Sequence, residues 1–233
     1  ILSAKKNGAD IAKFQYWNPK SLKEGPWDFD GRREIYNKAF LNESKIIYLR
    51  KFLKKNSIKF LISIFGSSSV ELIKKLNIKE IKIPSHEVAN KKLIRFVSKE
   101  FKKIYFSTGA SSENEINYAN RILKKSKKDF YLMHCVSSYP CPSDKINLPR
   151  MSWLKKLHYK VGLSDHTNST IVPSISVALG AMVIEKHFTT DNSLPGRDNK
   201  FALNPKKFKK MVQNIREAEK TLISKGNNFQ TSE

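Results

Sequence analysis

Short, almost continuous apolar runs alternate along the chain with longer segments whose apolar residues recur at helical spacing. Seven of these runs predict β-strands, and each is followed by a segment that predicts an α-helix. The predicted strands span residues 11–16, 60–65, 80–85, 104–108, 130–136, 160–166 and 182–188. Residues 1–8 predict the end of a helix that terminates at Gly8, and the polar and aromatic stretch 20–40 predicts a long loop. This alternation is typical of an α/β protein.

Strands that are apolar along their whole length indicate a parallel sheet that is covered by helices. A chain that opens on the end of a helix suggests that a preceding strand is missing, so the seven units suggest eight. We therefore expect a (β/α)8 TIM barrel, here a fragment without its first strand, forming one domain over residues 1–233. A doubly wound open sheet is the alternative, but no glycine-rich GxGxxG turn follows any predicted strand.

The composition limits the class of protein. The chain has 233 residues, of which 39% are hydrophobic, and this is enough for one large domain with a full core. No apolar run reaches the length of a membrane span and no signal peptide is recognisable, so no membrane partner is expected. Cys135 and Cys141 are too few for a disulfide framework. A reduced, cytoplasmic setting is the simpler expectation.

The formal net charge of +23 raises the possibility of a nucleic-acid-binding protein. The lysines, however, are spread over nearly every predicted helix and do not form one stripe with interleaved aromatic residues. Solvated outer faces of the helices explain this spread better. No nucleic-acid partner is therefore expected, and a small anionic substrate remains compatible with the charge.

Two predicted strands end in histidines, His166 and His187. The segment 169–180 between them predicts one helix, which makes a βαβ unit whose strands lie side by side with their carboxyl ends together. Two neutral imidazoles at one edge suit a divalent metal such as Mn, Fe or Zn. A single histidine at a strand end is more often a hydrogen-bonded structural residue, but the pairing of two favours a metal site.

Polar groups lie at the end of every predicted strand, where the active site of a barrel is built. These groups are Lys13, Gln15, Ser63, Lys82, Ser85, Glu87, Ser107, Thr108, His134, Ser137, Tyr139, Ser164, Asp165, Glu185 and Lys186. Lysines within strands, as at 13 and 82, are costly to bury without an anion. Two lysines and several hydroxyls that face one cavity predict a cradle for a phosphate or a carboxylate. Beside a metal, the cradle indicates a phosphorylated acid that meets a metal-polarised carbonyl.

Several motifs occur in a fixed order that is more specific than any one of them: KFQ, KIPSHE, STG, HCVSSYP, GLSDHT, IEKHFT and LPGRDNKFALNP. Together they resemble the sialic acid synthase (NeuB-type) family, which includes N-acetylneuraminate, legionaminate and pseudaminate synthases. The resemblance covers nearly the whole chain, from Gly8 to Pro205. It implies a (β/α)8 barrel that condenses phosphoenolpyruvate with an N-acylated amino sugar, giving a nine-carbon 2-keto acid and free phosphate.

The resemblance also implies roles for individual residues. His166 and His187 would hold the cofactor, Mn²⁺ or Mg²⁺. Phosphoenolpyruvate would be bound by Lys13, Lys82, Ser85, Ser107, Ser137 and Ser164. Glu87 would handle the attacking water or stabilise the developing cation, and Asp198 would orient metal-bound water and sugar hydroxyls. Gln15 and Tyr139 would contact the sugar.

The chain departs from the family pattern in several places. Ser137 stands where many members have asparagine, His86 stands where the usual residue is glycine, and the family's STPF segment reads Ser-Ile-Phe-Gly at residues 63–66. The family's first strand, which brings a glutamate for the sugar, lies outside this sequence. So does a small antifreeze-like (SAF) carboxyl-terminal domain that reaches into the partner's active site. The resemblance therefore predicts a homodimer for the full-length protein and a fragment that is poorly stable and inactive alone.

Three alternatives remain at the level of sequence. Another phosphoenolpyruvate-using barrel, such as a 3-deoxy-sugar-acid synthase, is disfavoured by the EKHFT and PGRDN segments. A basic nucleic-acid-binding protein predicts salt-dependent retention on DNA and no need for metal. A non-catalytic family member is disfavoured by the intact histidines and lysines. The sequence does not identify the acceptor sugar, and the loop 23–36 is expected either to contribute to its choice or to form a structural lid.

Overall fold

The computed structural model describes residues 1–21 and 24–230. Within these residues, seven parallel strands form one sheet in the order of the chain. The strands are β1 (Ile11–Tyr16), β2 (Lys59–Ile64), β3 (Glu80–Ile83), β4 (Lys103–Ser107), β5 (Asp129–Cys135), β6 (Val161–Asp165) and β7 (Ala181–Lys186). All seven strands predicted from the sequence are confirmed, with bounds that shift by a few residues.

Helices follow the strands and cover the outer face of the sheet. They are α1 (Leu2–Lys6), α2 (Arg32–Ala39), α3 (Glu43–Lys55), α4 (Ser68–Lys75), α5 (Lys91–Glu100), α6 (Glu113–Lys125), α7 (Arg150–Leu157), α8 (Val172–Ala178) and α9 (Pro205–Thr221). Polar side chains at the N-cap position explain where several of the helices begin. The Asn42 side chain, for example, accepts a hydrogen bond from the Lys45 amide at 2.9 Å and fixes the beginning of α3.

The prediction of one long loop over residues 20–40 is wrong, because much of this stretch is helical. It contains 3-10 turns at Pro19–Ser21 and Pro26–Asp28, followed by helix α2. An ion pair between Arg33 and Asp28 ties the start of α2 to the second turn, a contact between side chains five residues apart that local periodicity does not reveal. Residues 22–23, the second of which belongs to the predicted 23–36 loop, lie outside the described residues.

The strands present alternate side chains to the helices and to the interior. Isoleucines on the outer face of β2 and β3, Ile62, Ile64, Ile81 and Ile83, are completely buried under the helices. A smaller apolar cluster on the inner face, Leu61, Tyr105 and Met133, fills the interior near the amino ends of the strands. This leaves the interior at the carboxyl ends to polar side chains.

The sheet is curled, so that its first and last strands approach each other. The Lys13 ammonium on β1 lies 2.5 Å from a carboxylate oxygen of Glu185 on β7. At the other end of the strands, Arg216 of α9 pairs with Asp10 at 3.1 Å, and Ala9 packs against the apolar cluster beneath α9. Among the described strands, β1 and β7 are the two edges and have no ladder between them. The sheet is therefore a curled half-barrel with its polar end open.

No helix in the described part of the chain is both long enough and apolar enough to cross a lipid bilayer.

Candidate active site

A connected group of buried polar side chains crosses the interior at the carboxyl ends of the strands. The Lys82 ammonium on β3 donates to Ser107 Oγ at 2.6 Å and to Glu185 Oε2 at 2.7 Å. Ser164 Oγ donates to the same carboxylate oxygen at 2.5 Å and lies 2.7 Å from Ser107 Oγ. Together with Lys13, these residues form what we call the lysine cradle. The structure thus brings together four of the residues predicted to bind phosphoenolpyruvate.

Strand register explains why these residues meet. Ser164 and Glu185 are directly opposite each other on β6 and β7, and Ser63 is opposite Lys82 on β2 and β3. Residues that are opposite on adjacent strands face the same side of the sheet. These residues therefore all face the interior, and the long Lys82 side chain, whose register partner on β4 is Tyr105, reaches further along the strands to Ser107 and Glu185.

Glu185 is the charged centre of the cradle. Burial by itself would raise the pKa of this carboxyl, but the ammonium groups of Lys13 and Lys82 offset that effect and hold the pKa well below its usual range. Burial lowers the pKa of Lys82, whereas Glu185 opposes this shift. The side chain of Lys82 is only 5% exposed, so the carboxylate is the counter-charge that makes its burial possible. Lys13 and Lys82, which are predicted to bind a substrate anion, are thus already paired with the carboxylate of Glu185.

Glu185 is recognisable in the sequence as a strand-end residue, but neither the motifs nor the resemblance gives it a role. The missed signal is its spacing: Glu185 lies two residues before His187 on the same strand, and side chains at i and i+2 face the same side. A carboxylate on the face that carries the predicted metal ligand was therefore visible in the sequence. Its ion pairs with β1 and β3 were not, because these strands are more than 100 residues away along the chain.

The two histidines lie one step further toward the open end. The ring centroids of His166 and His187 are 5.6 Å apart. His166 Nδ1 lies 2.7 Å from the carbonyl oxygen of Val136, and only a protonated nitrogen can donate to a carbonyl. The lone pair of this ring is therefore on Nε2. On the other histidine, Nδ1 lies 3.5 Å from an oxygen of Asp198.

This pair fits a divalent metal ion. Metal–nitrogen distances of about 2.1 Å place two imidazole centroids on one ion no more than about 6.5 Å apart. Carboxylates and carbonyls at the second ring nitrogens, as Asp198 and Val136 provide here, are the usual outer partners of metal-ligating histidines. Within the described residues, no group of three or more His, Cys, Asp or Glu side chains is arranged to hold a metal ion. An ion held by two imidazoles would keep its other coordination positions for water and substrate.

Burial disfavours the charged forms of both rings. It lowers the pKa of His166, and it lowers the pKa of His187 to about 4, although Asp198 opposes the shift on His187. Both imidazoles are thus neutral near pH 7, which is the form that binds a metal. The histidine pair therefore has both the protonation state and the ring separation that a divalent metal ion requires.

Aromatic rings surround the histidines. The Tyr139 ring lies 4.0 Å from that of His166 and 5.3 Å from that of Phe201, measured between centroids. Phe201 also meets the His187 ring edge-on at 5.3 Å. Tyr139, which precedes a cis peptide bond to Pro140, is 42% exposed. Of the residues predicted to contact the sugar, Tyr139 therefore lies beside the histidine pair and faces the open end.

A second polar pocket lies around Gly109, after β4. The Ser85 hydroxyl accepts a hydrogen bond from the Gly109 amide at 3.0 Å. A Cβ atom built on Gly109 would lie 2.6 Å from Ser137 Oγ and 2.9 Å from both Ser85 Oγ and Cys135 Sγ. Two of the predicted anion-binding serines thus converge on a space that only glycine leaves open.

Replacing Gly109 with alanine is expected to weaken phosphoenolpyruvate binding by about tenfold or more, because the new methyl group would displace Ser85 and Ser137 from the pocket. A loss of two neutral hydrogen bonds at about 1 kcal/mol each corresponds to this range. Isothermal titration of phosphoenolpyruvate into both proteins measures it. Gly31→Ala is the control, because its methyl meets no atom within 4 Å and any cost there comes from the backbone, which has φ +78°, and not from a filled pocket. An unchanged dissociation constant for the Gly109 variant would remove this pocket from the binding site.

Glu87 and Gln15 have local partners. Glu87 accepts hydrogen bonds from the Gly66 amide at 2.8 Å and from the Asn90 side chain at 2.7 Å, which fixes the turn that carries Ser85. The Gln15 side chain accepts from the Trp17 indole at 2.9 Å. Trp17 in turn stacks on Phe65 with ring centroids 3.8 Å apart. The predicted contacts of Glu87 with water and of Gln15 with sugar stay predictions.

Comparisons with known proteins identify the family of the chain. A model of the NeuB family matches residues 1–227. The chain is 37% identical over 230 residues to an uncharacterized protein of Methanocaldococcus jannaschii, and the match covers 96% of this chain and 66% of that protein. It is 35% identical over 231 residues to the N,N'-diacetyllegionaminic acid synthase of Campylobacter jejuni, and the match covers 93% and 69%.

A solved structure shares the fold. The N-acetylneuraminic acid (sialic acid) synthetase of Leptospira borgpetersenii, in complex with citrate, matches with a TM-score of 0.90 at 29% identity, covering 99% of this chain and 80% of that chain. The chain spans about two thirds of the length of the two curated relatives. Because the family model matches residues 1–227, nearly its whole length, the chain belongs to the NeuB family.

Proposed function

We propose that the natural protein condenses phosphoenolpyruvate with an N-acylated amino sugar to give a nonulosonic acid and phosphate. The observation that carries the proposal is the lysine cradle directly beside the neutral histidine pair. Relatives named as legionaminic and pseudaminic acid synthases support it. The cradle suits a small anion, and the histidines suit the ion that activates an aldehyde.

Different residues bind different parts of phosphoenolpyruvate. Lys13 and Lys82 take the negative charges of phosphoenolpyruvate, and Ser107 and Ser164 donate to its oxygens. Ser85 and Ser137 form the pocket at Gly109 for the remaining oxygens. This fixes the enol carbon C3 in one orientation toward the open end, and such positioning supplies much of the rate in a bimolecular step.

His166 and His187 would hold the divalent ion, Mn²⁺ or Mg²⁺. When bound, this ion supplies positive charge that polarises the aldehyde oxygen of the open-chain sugar. Asp198, behind His187, holds that ring in place and reaches the sugar hydroxyls. Tyr139 and Gln15 contact the sugar from either side.

The bond changes follow from this arrangement. The enol carbon C3 attacks the aldehyde carbon and leaves positive charge at C2, which the carboxylate of Glu87 stabilises. Water adds at C2, and the tetrahedral intermediate loses phosphate by cleavage of its C–O bond. One phosphoenolpyruvate, one sugar and one water thus give one 2-keto acid and one phosphate.

We extend the proposal to the whole protein. The two unladdered edges of the described sheet, β1 and β7, fit one further strand that closes a (β/α)8 barrel. Residues 1–233 belong to the catalytic domain of a cytoplasmic homodimer. The Tyr36 ring of α2 stacks on Trp17, which directly follows β1, with centroids 6.0 Å apart. This contact supports a contribution of the loop that contains Tyr36 to the choice of acceptor.

Phosphate release by the natural protein tests the function. The reaction contains phosphoenolpyruvate, Mn²⁺ and one sugar of a panel of N-acylated amino sugars, and a chelator serves as the control. Release with one such sugar that stops on chelation supports the proposal and identifies the acceptor. Release with a phosphorylated aldose instead would assign the protein to the 3-deoxy-sugar-acid synthases. No release from a folded protein would point to a non-catalytic family member.

A further inference from the structure

A second buried ion pair lies immediately behind the histidines. The Lys186 ammonium is 2.5 Å from Asp165 Oδ2, and the two side chains are 3% and 0% exposed. Asp165 directly precedes His166, and Lys186 directly precedes His187. The two residues are opposite each other in the register of β6 and β7. Because side chains alternate along a strand, this pair faces away from the interior while both histidines face into it.

Every hydrogen bond that the structure shows for the Lys186 ammonium goes to the last residue of β6 or to the turn after it. Besides Asp165, it donates to the carbonyl oxygen of Thr167 and lies 3.4 Å from the hydroxyl of the same residue. Asp165 accepts from the Thr167 amide at 2.8 Å and from its hydroxyl at 3.1 Å. One ammonium from β7 therefore binds both chain neighbours of His166, Asp165 and Thr167.

The histidines have further backbone ties that fix the same geometry. The carbonyl oxygen of His166 accepts from the Cys141 amide at 2.9 Å, and that of His187 accepts from the Leu203 amide at 2.9 Å. These bonds attach His166 to the loop after β5 and His187 to the segment that precedes α9. Among the described contacts of this region, Asp165–Lys186 is the ion pair that joins the ends of β6 and β7 on their outer face, and the Ser164–Glu185 hydrogen bond joins them on the inner face.

We propose that Asp165 and Lys186 are positioning residues that set the separation of His166 and His187 for a divalent cation. The inference rests on the proposed function, since it concerns the same metal site. The pair contributes little to stability by comparison with apolar side chains of similar size, so we infer that its role is to fix the relative position of the two strand ends. The alternative is that the pair only stabilises the fold.

Affinity for Mn²⁺ alone distinguishes the two roles. The variant Asp165→Asn/Lys186→Met keeps an oxygen that accepts from the Thr167 amide, and it removes the charged tie to β7. Mn²⁺ binding is measured from the free-ion signal in electron paramagnetic resonance, and folding is followed by circular dichroism. We expect the dissociation constant to rise about 10- to 100-fold, the range for changes in the outer partners of metal ligands.

Two further variants complete the test. Asp165→Asn/Lys186→Gln restores one donor toward Thr167, so it is expected to recover part of the affinity, and it replaces the first variant if that one does not fold. Asp129→Asn/Lys160→Met removes an ion pair of 2.7 Å between β5 and β6 at their opposite ends. That control is expected to bind Mn²⁺ like the unchanged chain.

The outcomes separate this inference from the function on which it rests. If the unchanged chain does not bind Mn²⁺, the metal site of the proposed function is wrong and the positioning role falls with it. If the unchanged chain binds Mn²⁺ and the folded variants bind it equally well, the positioning role alone is wrong. A loss of affinity in the Met variant with partial recovery in the Gln variant supports it.

Discussion

Glu185→Gln is expected to lower the free energy of unfolding by about 3 kcal/mol, the lower end of the range for breaking a buried ion pair from one side. The lower end applies because the pair is not fully buried: 20% of the Glu185 side chain and 23% of the Lys13 side chain are exposed to solvent. Lys82 would remain buried without the carboxylate that now lies 2.7 Å away. For a chain of this size, the corresponding fall in melting temperature is about 6–12 °C.

Phosphoenolpyruvate is expected to restore much of this loss. In the unchanged protein, the substrate must share Lys13 and Lys82 with the carboxylate of Glu185. In the variant, the negative charge of the substrate takes the place of that carboxylate. Addition of phosphoenolpyruvate should therefore raise the melting temperature of the variant more than that of the unchanged protein, by the linkage between binding and folding. Differential scanning fluorimetry with and without substrate measures both effects.

Asp129→Asn is the matched control for Glu185→Gln. Asp129 also lies between two lysines, at 2.7 Å from Lys160 and 3.4 Å from Lys103, but at the opposite ends of the strands and with one third of its side chain exposed. We expect a cost of about 1 kcal/mol or less, and the same response to phosphoenolpyruvate as in the unchanged protein. Equal substrate responses in the Glu185 variant and this control would show that Glu185 does not share its lysines with the substrate.

His187→Ala is expected to reduce Mn²⁺ affinity by more than 100-fold and to abolish phosphate release by the natural protein. The reason is that the variant leaves His166 as the single imidazole of the pair, and losing a ligand costs more than the 10- to 100-fold of an outer-partner change. Titration of Mn²⁺ followed by a phosphate-release assay measures the two effects on one preparation.

His158→Gln controls for the loss of a histidine. His158 stacks on Phe130 with centroids 3.8 Å apart, and its Nε2 lies 2.8 Å from the carbonyl oxygen of the same residue, at the amino end of the strands. Its replacement is expected to leave Mn²⁺ affinity unchanged. Undiminished Mn²⁺ binding by a folded His187→Ala protein would move the metal site elsewhere.

The sequence by itself determined the order of strands and helices. Local patterns carry this information, because a buried parallel strand needs a continuous apolar run and a helix needs apolar residues at helical spacing. The prediction failed at α2, where the polar segment 32–39 lacks an apolar face and no residue of the helix is buried. The stacking of Trp17 and Tyr36 brings this helix to the rest of the chain, which is a tertiary contact.

The sequence also indicated which residues would meet. His166, His187, Lys13 and Lys82 were recognisable because the carboxyl ends of parallel strands lie together, whatever the details of packing. What only the tertiary structure decided is how these groups are paired. Glu185 neutralises two lysines from β1 and β3, and Lys186 clamps the turn after β6. Such pairings depend on the curl of the sheet and on distances of a few ångströms between strands far apart in sequence, and no local pattern encodes them.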